Sequence, residues 1–87
     1  MHEMSLLRDL MRKIDRVAAE HGSRRVRAVR LRLGALAHIS PDHLREHFRW
    51  AAAGGIAEGA ALTIEVSSDV DEPGAQSILL ESVEVED

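Results

Sequence analysis

The chain has no cysteine among its 87 residues. That excludes a disulfide framework, a cysteine nucleophile and a thiolate-held zinc ion. Tyrosine is also absent, and Phe48 and Trp50 are the only Phe, Trp or Tyr residues. A nucleic-acid binder needs stacking aromatics and a basic surface that no acidic segment opposes. This chain offers neither, so no nucleic-acid partner is expected. Long apolar runs are missing too. Arg8, Asp9, Arg12 and Lys13 interrupt the opening segment, which therefore reads neither as a signal peptide nor as a membrane span. The expected location is cytoplasmic, without a membrane partner. Lysine and arginine are missing altogether from residues 65–87, whereas Arg24, Arg25, Arg27, Arg30 and Arg32 crowd one stretch. The formal net charge is only −4, so the signs are segregated rather than unbalanced. Segregation of that kind predicts pairing inside the fold or with a protein partner.

A length of 87 residues predicts one domain, 1–87. A domain this small buries a modest share of its surface, so a deep enzyme cleft is not expected. The first segment predicts an amphipathic helix over 4–21, with Leu7, Leu10, Met11, Ile14, Val17 and Ala18 at helical spacing. Gly22 is placed to end it in the left-handed conformation. His21 sits where an imidazole would complement the helix's carbonyl end. Residues 25–33 predict a strand in which Val29, Leu31 and Leu33 alternate with Arg30 and Arg32. Val26 and Ala28 fall on the other phase, so a bulge is expected. Arg30 and Arg32 are expected to pair across the sheet with acidic neighbours, with a docking face as the other reading.

Ser40-Pro41 is a helix start, a capping hydroxyl followed by proline at the first helical position. The second helix is expected to run to about Ala53, burying Leu44, Phe48 and Ala51, with Gly54-Gly55 as its stop. Trp50 falls off that stripe; it either covers the helix–sheet edge or stands exposed as a partner anchor. Leu62, Ile64 and Val66 alternate with polar residues to give a second strand, and Val83 and Val85 do the same in a third over 78–86. The fold class expected is α+β, two helices on one face of a small three-stranded mixed sheet. In it the first two strands are parallel and the last two form an antiparallel hairpin. Residues 67–77, with Asp69, Asp71 and Glu72, are expected to be a solvated turn.

Met1, His2 and Glu3 carry the distinctive chemistry. A terminal amine, the His2 amide nitrogen and the His2 imidazole can close adjacent chelate rings on one ion. Glu3 adds a carboxylate or its own amide nitrogen. Bulky His2 is expected to leave Met1 in place. A nitrogen-rich, roughly planar donor set suits Ni(II) or Cu(II) better than Zn(II) or Mg(II). The amine, with an ordinary pKa of roughly 8, must lose its proton to bind, so binding should weaken in acid. The plainer reading is that Met1-His2-Glu3 only leads into a helix.

Met1-His2-Glu3-Met4-Ser5-Leu6 resembles the start of the HypA/HybF family of hydrogenase maturation proteins. Residues 25–36, the run Ser40-Pro41-Asp42-His43-Leu44 to Phe48, residues 57–65 and the ending 80–86 resemble that family in order and spacing. The resemblance implies a metallochaperone rather than an enzyme. It implies Ni(II) held by His2, with Glu3 assisting. It further implies delivery to the large subunit of a [NiFe]-hydrogenase, or in some cases to urease, alongside a nickel-binding maturation GTPase. Family members carry a zinc domain with two C-x-x-C pairs between the last two strands, at the tip of the expected hairpin. Here residues 67–77 bridge that position and zinc is not expected. The alternative is a zinc-less interaction module that keeps the fold without carrying metal. A third option comes from His43-Leu44-Arg45-Glu46-His47, which matches the H-x-x-E-H of inverted zincins. His43 and His47 share a helix face, either as a surface pair or as a secondary metal site with His38 as helper.

Overall fold

The computed structural model describes the backbone of residues 2–86 and the side chains of residues 4–86. The elements run α1 (His2–Glu20), β1 (Val26–Leu33), α2 (Pro41–Ala52), β2 (Ala61–Val66) and β3 (Ile78–Val85). Each lies within a residue or two of its expected span. The α1 stripe buries Leu7, Leu10, Ile14 and Ala18, while Met11 and Val17 are half-buried. Gly22 takes φ 65° just past the helix, and the His21 side chain bonds back through Nδ1 to the Val17 carbonyl at 2.9 Å. Both are the helix endings expected of those residues.

The strand order is β2-β1-β3. β1 pairs with β2 in parallel, as expected of strands that flank a helix. The expected hairpin between the last two strands is not formed; β3 pairs antiparallel with β1 instead. The reason lies in where the apolar residues are. β1 buries Val26, Val29, Leu31 and Leu33, whereas β2 buries none of its residues and leaves Leu62 and Ile64 half-exposed. β1, with the most buried residues, sits at the centre, and β2 takes an edge.

Two irregularities keep the sheet in phase. Register shifts occur between Val26 and Ala28 and between Arg30 and Leu31, so β1 and β3 each accommodate one extra residue. Val26 and Val29 therefore both face the helices, opposite Val85 and Val83, although they are three positions apart. This is the bulge that the odd spacing called for.

Both β2 and β3 meet β1 at its Leu33 end, since Leu33 pairs with Val66 on one side and with Ile78 on the other. Residues 67–77 consequently cross over the end of β1. The crossing is tied down by backbone bonds: Ser67 N–H to the Leu33 carbonyl (2.9 Å), Gly34 N–H to Ser77 (3.0 Å) and Leu36 N–H to Ala75 (2.7 Å). Gly34 is where the two stretches touch. A Cβ there would collide with the Ala75 carbonyl group, so glycine is required for close backbone approach.

In α2, Ser40 caps the helix by accepting the His43 N–H at 3.1 Å, and Pro41 holds the first position. The buried stripe is Leu44, Phe48 and Ala52; Ala51 is exposed, contrary to expectation. Positions 44, 48 and 52 repeat every four residues and keep one face throughout, whereas 51 has rotated toward α1. Trp50 is 70% exposed and does not cover the helix–sheet edge.

Candidate metal-binding residues

The helix starts at His2, two residues earlier than its apolar periodicity suggests. The first four N–H groups of any helix have no intrahelical acceptor. The backbone nitrogens of His2 and Glu3 are thus at the one part of α1 where they can be spent on something else without breaking a helical bond. The side chains of His2 and Glu3, and all of Met1, lie outside the described residues. Behind them, Met4 and Ser5 are exposed, and Leu7 is the first buried residue among the described side chains of α1. Met4, Leu7, Arg8 and Met11 meet Ala51 of α2 around a shallow apolar cleft of about 210 Å³.

The H-x-x-E-H run lies on α2. His43 and His47 stack with ring centroids 6.1 Å apart and planes 13° apart. His47 in turn stacks on Trp50, at 5.8 Å and 29°. The three rings form a ladder along one flank of the helix. Among the described residues, no group of three His, Asp or Glu side chains is arranged to hold a metal ion. His38, exposed and in the left-handed region at φ 58°, is not brought into such a group.

The charge pairing anticipated for the arginine stretch is present at Arg32. Its NH1 donates to Glu65 Oε1 at 2.6 Å, while Nε and NH2 form a two-pronged bond to Glu72 at 3.1 and 2.9 Å. NH2 also reaches the Ser67 hydroxyl at 3.3 Å. Fork-shaped pairing of this kind is the strong geometry for arginine and carboxylate. Hydrogen bonding from Arg32, then from Ser67, holds the Glu72 carboxyl below its ordinary range. The same bond to Glu72 raises the guanidinium. Glu72 is therefore not part of a merely solvated turn; it pins the crossing segment to β1. Sequence reasoning missed it because Arg32 and Glu72 are 40 residues apart. Arg30 makes no comparable ion pair among the described residues; it lies between Thr63 and Ser82.

A family model described as hydrogenase/urease nickel incorporation, metallochaperone, HypA matches residues 1–70. The chain belongs to the HypA family. It is 44% identical over 75 residues to the hydrogenase maturation factor HypA of Rhodopseudomonas palustris strain TIE-1, covering 86% of this chain and 62% of that one. It is also 44% identical over 66 residues to the protein of that name from Archaeoglobus fulgidus, covering 76% and 60%. The chain thus spans about three fifths of the length of the curated relatives it matches. In solved structures, the Ni metallochaperone HypA from Helicobacter pylori superposes with a TM-score of 0.80 at 15% identity, covering 98% of this chain and 97% of that one. That likeness is one of fold. The HypA family is a family of metal carriers, not of enzymes, and the inverted-zincin reading of His43 to His47 is set aside.

Proposed function

We propose that this protein carries Ni(II) for hydrogenase maturation, taking the ion at Met1, His2 and Glu3. The observation that carries the reading is the family match, which runs from residue 1 and so includes the opening Met-His-Glu. The helix start at His2 supports it physically. Amide nitrogens without helical acceptors can lose a proton to a metal at no cost in helical bonding. His2 is the principal ligand; the terminal amine and Glu3 complete the set, and the site performs no catalysis.

On this reading residues 1–87 act as a single nickel-binding domain. Residues 67–77 close the position where longer family members carry a zinc module. A chain without cysteine cannot supply the thiolates of a four-sulfur zinc site, so no site of that kind belongs to this reading. The partners proposed are a nickel-binding maturation GTPase and the hydrogenase large subunit, with urease as a further recipient. The setting is the cytoplasm, in keeping with the fact that no described helix is long and apolar enough to cross a membrane.

The test uses untagged protein, because a tag would consume the terminal amine. Ni(II) is titrated calorimetrically into wild type and His2→Ala. Substantially weaker binding in the variant is expected, with loss of the absorption bands of planar Ni(II). Equal affinities in the two proteins would remove the proposal.

A further inference from the structure

β2 lies at the outside of the sheet and pairs with β1 alone. Backbone groups alternate sides along a strand. Ser67 N–H bonds to the Leu33 carbonyl, so residues 61, 63 and 65 turn their backbone groups toward β1, and Leu62, Ile64 and Val66 turn theirs outward. Arg45 bears this out: it reaches from α2 and donates to the Leu62 carbonyl at 2.7 Å. Among the described residues no other side chain or loop bonds to that edge. Exposed edges are commonly blunted by proline, lysine or a bulge. β2 has none of these, and its Val66 side chain is 56% exposed.

Beside the edge lies a cleft of about 370 Å³. It is lined by buried Phe48 and Ala52 of α2, by half-exposed Leu62, and by exposed Arg45 and Arg49. The ion pairs among the described residues engage Arg12, Arg25 and Arg32. Arg45 and Arg49 take part in none, and Glu58, which also lines the cleft, pairs with neither. Two cations without carboxylates therefore stand next to a row of open backbone groups.

We propose that β2 and this cleft form a docking edge for an extended acidic segment of a partner protein. The segment pairs with β2 as a fourth strand and places carboxylates against Arg45 and Arg49. In strand addition, main-chain bonds give affinity and alternate side chains give specificity. Here every second side chain of the added strand faces the helix layer, where the two arginines and the apolar cleft lie. A second copy of this chain fits less well. Pairing β2 with another β2 brings the arginines of both copies to the same side of one sheet, and juxtaposed like charges oppose association. Pairing through β3 offers Glu84, but Glu84 lies opposite Ala28, on the face away from buried Val29 and Leu31 and hence away from the helices. The edge is separate from the chain start, so the proposal does not depend on the nickel reading.

The experiment uses the full chain without nickel. The probe is a fluorescently labelled peptide of alternating Glu and Val, long enough to span β2, followed by anisotropy. Saturable binding is expected, and amide exchange at Ile64 and Val66 should slow in the complex. Arg45→Gln combined with Arg49→Gln should raise the dissociation constant about tenfold, the order that two partly exposed ion pairs supply. Circular dichroism checks that the fold is kept. Should removal of Arg45 loosen β2, Arg49→Gln alone still tests the charge, with an expected weakening of about threefold. A peptide of alternating Lys and Val should not bind at the same concentrations. Equal binding of the two peptides, or binding indifferent to the arginines, overturns the proposal. So does unaltered exchange at Ile64 and Val66, because a carboxylate held by the arginines alone leaves those amides open. Slow exchange at both amides in the protein by itself, speeding on dilution, would mean that a second copy occupies the edge, and overturns it too.

Discussion

The segment that crosses the end of β1 and the first turn of α1 are built on opposite principles. Residues 67–77 are held at several points: three backbone bonds to residues 33–36, the Arg32 fork on Glu72, and buried Ser67 and Ala75. In the first turn of α1, Met4 and Ser5 are exposed, and Leu7 is the first buried residue among the described side chains. The chain has spent its contacts on closing the fold at the end of β1. Met4 and Ser5, next to the residues proposed to take the metal, are exposed instead. A closure must hold one shape, whereas a carrier's site has to admit and release its cargo, and it tolerates little packing around it.

If that contrast is right, damage to the crossing should cost stability and leave metal binding alone. Gly34→Ala is the severest case. The added methyl group meets backbone rather than a side chain that could turn away. Overpacking typically costs up to about 3 kcal/mol, and a backbone collision belongs at or above that end. Urea denaturation should show the loss, while the folded fraction binds nickel with unchanged affinity. A normal denaturation midpoint would mean that the crossing is looser than its bonds suggest.

The converse comes next in size. Acetylation of the terminal amine should lower nickel affinity about 100-fold, equivalent to ~2.7 kcal/mol, with no shift in the thermal midpoint. On the proposed reading the amine serves the metal rather than the core. Calorimetry on acetylated and free chains, paired with thermal melts, checks both halves. A stability change of comparable size would erase the distinction between the two regions.

Much of this was legible in the residues, and what was not has a common cause. Helix and strand positions follow from periodicities within single segments, as do the Ser40 cap, the Gly22 stop and the bulge near Val26. The partner of β3 was not legible, because pairing depends on which strand elsewhere in the chain is most worth burying. The Arg32–Glu72 bond was hidden for the same reason; only the segregation of charge hinted at it. Ala51 and Ala52 differ by one position and not at all in chemistry, so the sequence could not say which faces the core. At the candidate site, recognition of Met1-His2-Glu3 rested on family resemblance. Spacing alone showed His43 and His47 on one face but said nothing of their stacking or of Trp50 closing the ladder.

Ser40→Ala tests the frame that carries that ladder. The Ser40 hydroxyl accepts the His43 N–H, and losing such a cap costs about 1 kcal/mol. The expected effect is a modest drop in stability, with the first turn of α2 fraying around His43. Amide exchange should quicken at the N-terminal turn of α2 and stay unchanged in β1. Unaltered exchange at that turn would show that Pro41 and the packing of Leu44 hold it without the hydroxyl.

The smallest effect, and the one that separates charge from shape in the crossing, belongs to Glu72→Gln. The bond to Arg32 faces partly toward water, where solvent weakens ion pairs. The loss at neutral pH should therefore be smaller than that of the cap. Its signature is its pH dependence. The Glu72 carboxyl is depressed in the folded state by Arg32 and Ser67, so it stabilises the fold at pH above the unfolded carboxyl value of about 4.3. That contribution disappears as the pH falls through the depressed folded value. Glutamine keeps the size of the side chain without the charge, so wild type should exceed the variant at pH 7, and the gap should close in acid. Denaturation midpoints of both proteins from neutral pH down to about pH 3 would show it. A gap of constant width across that range would mean that Glu72 fastens the crossing by fit alone, and that the charge segregated between the two halves of the sequence contributes nothing at this point.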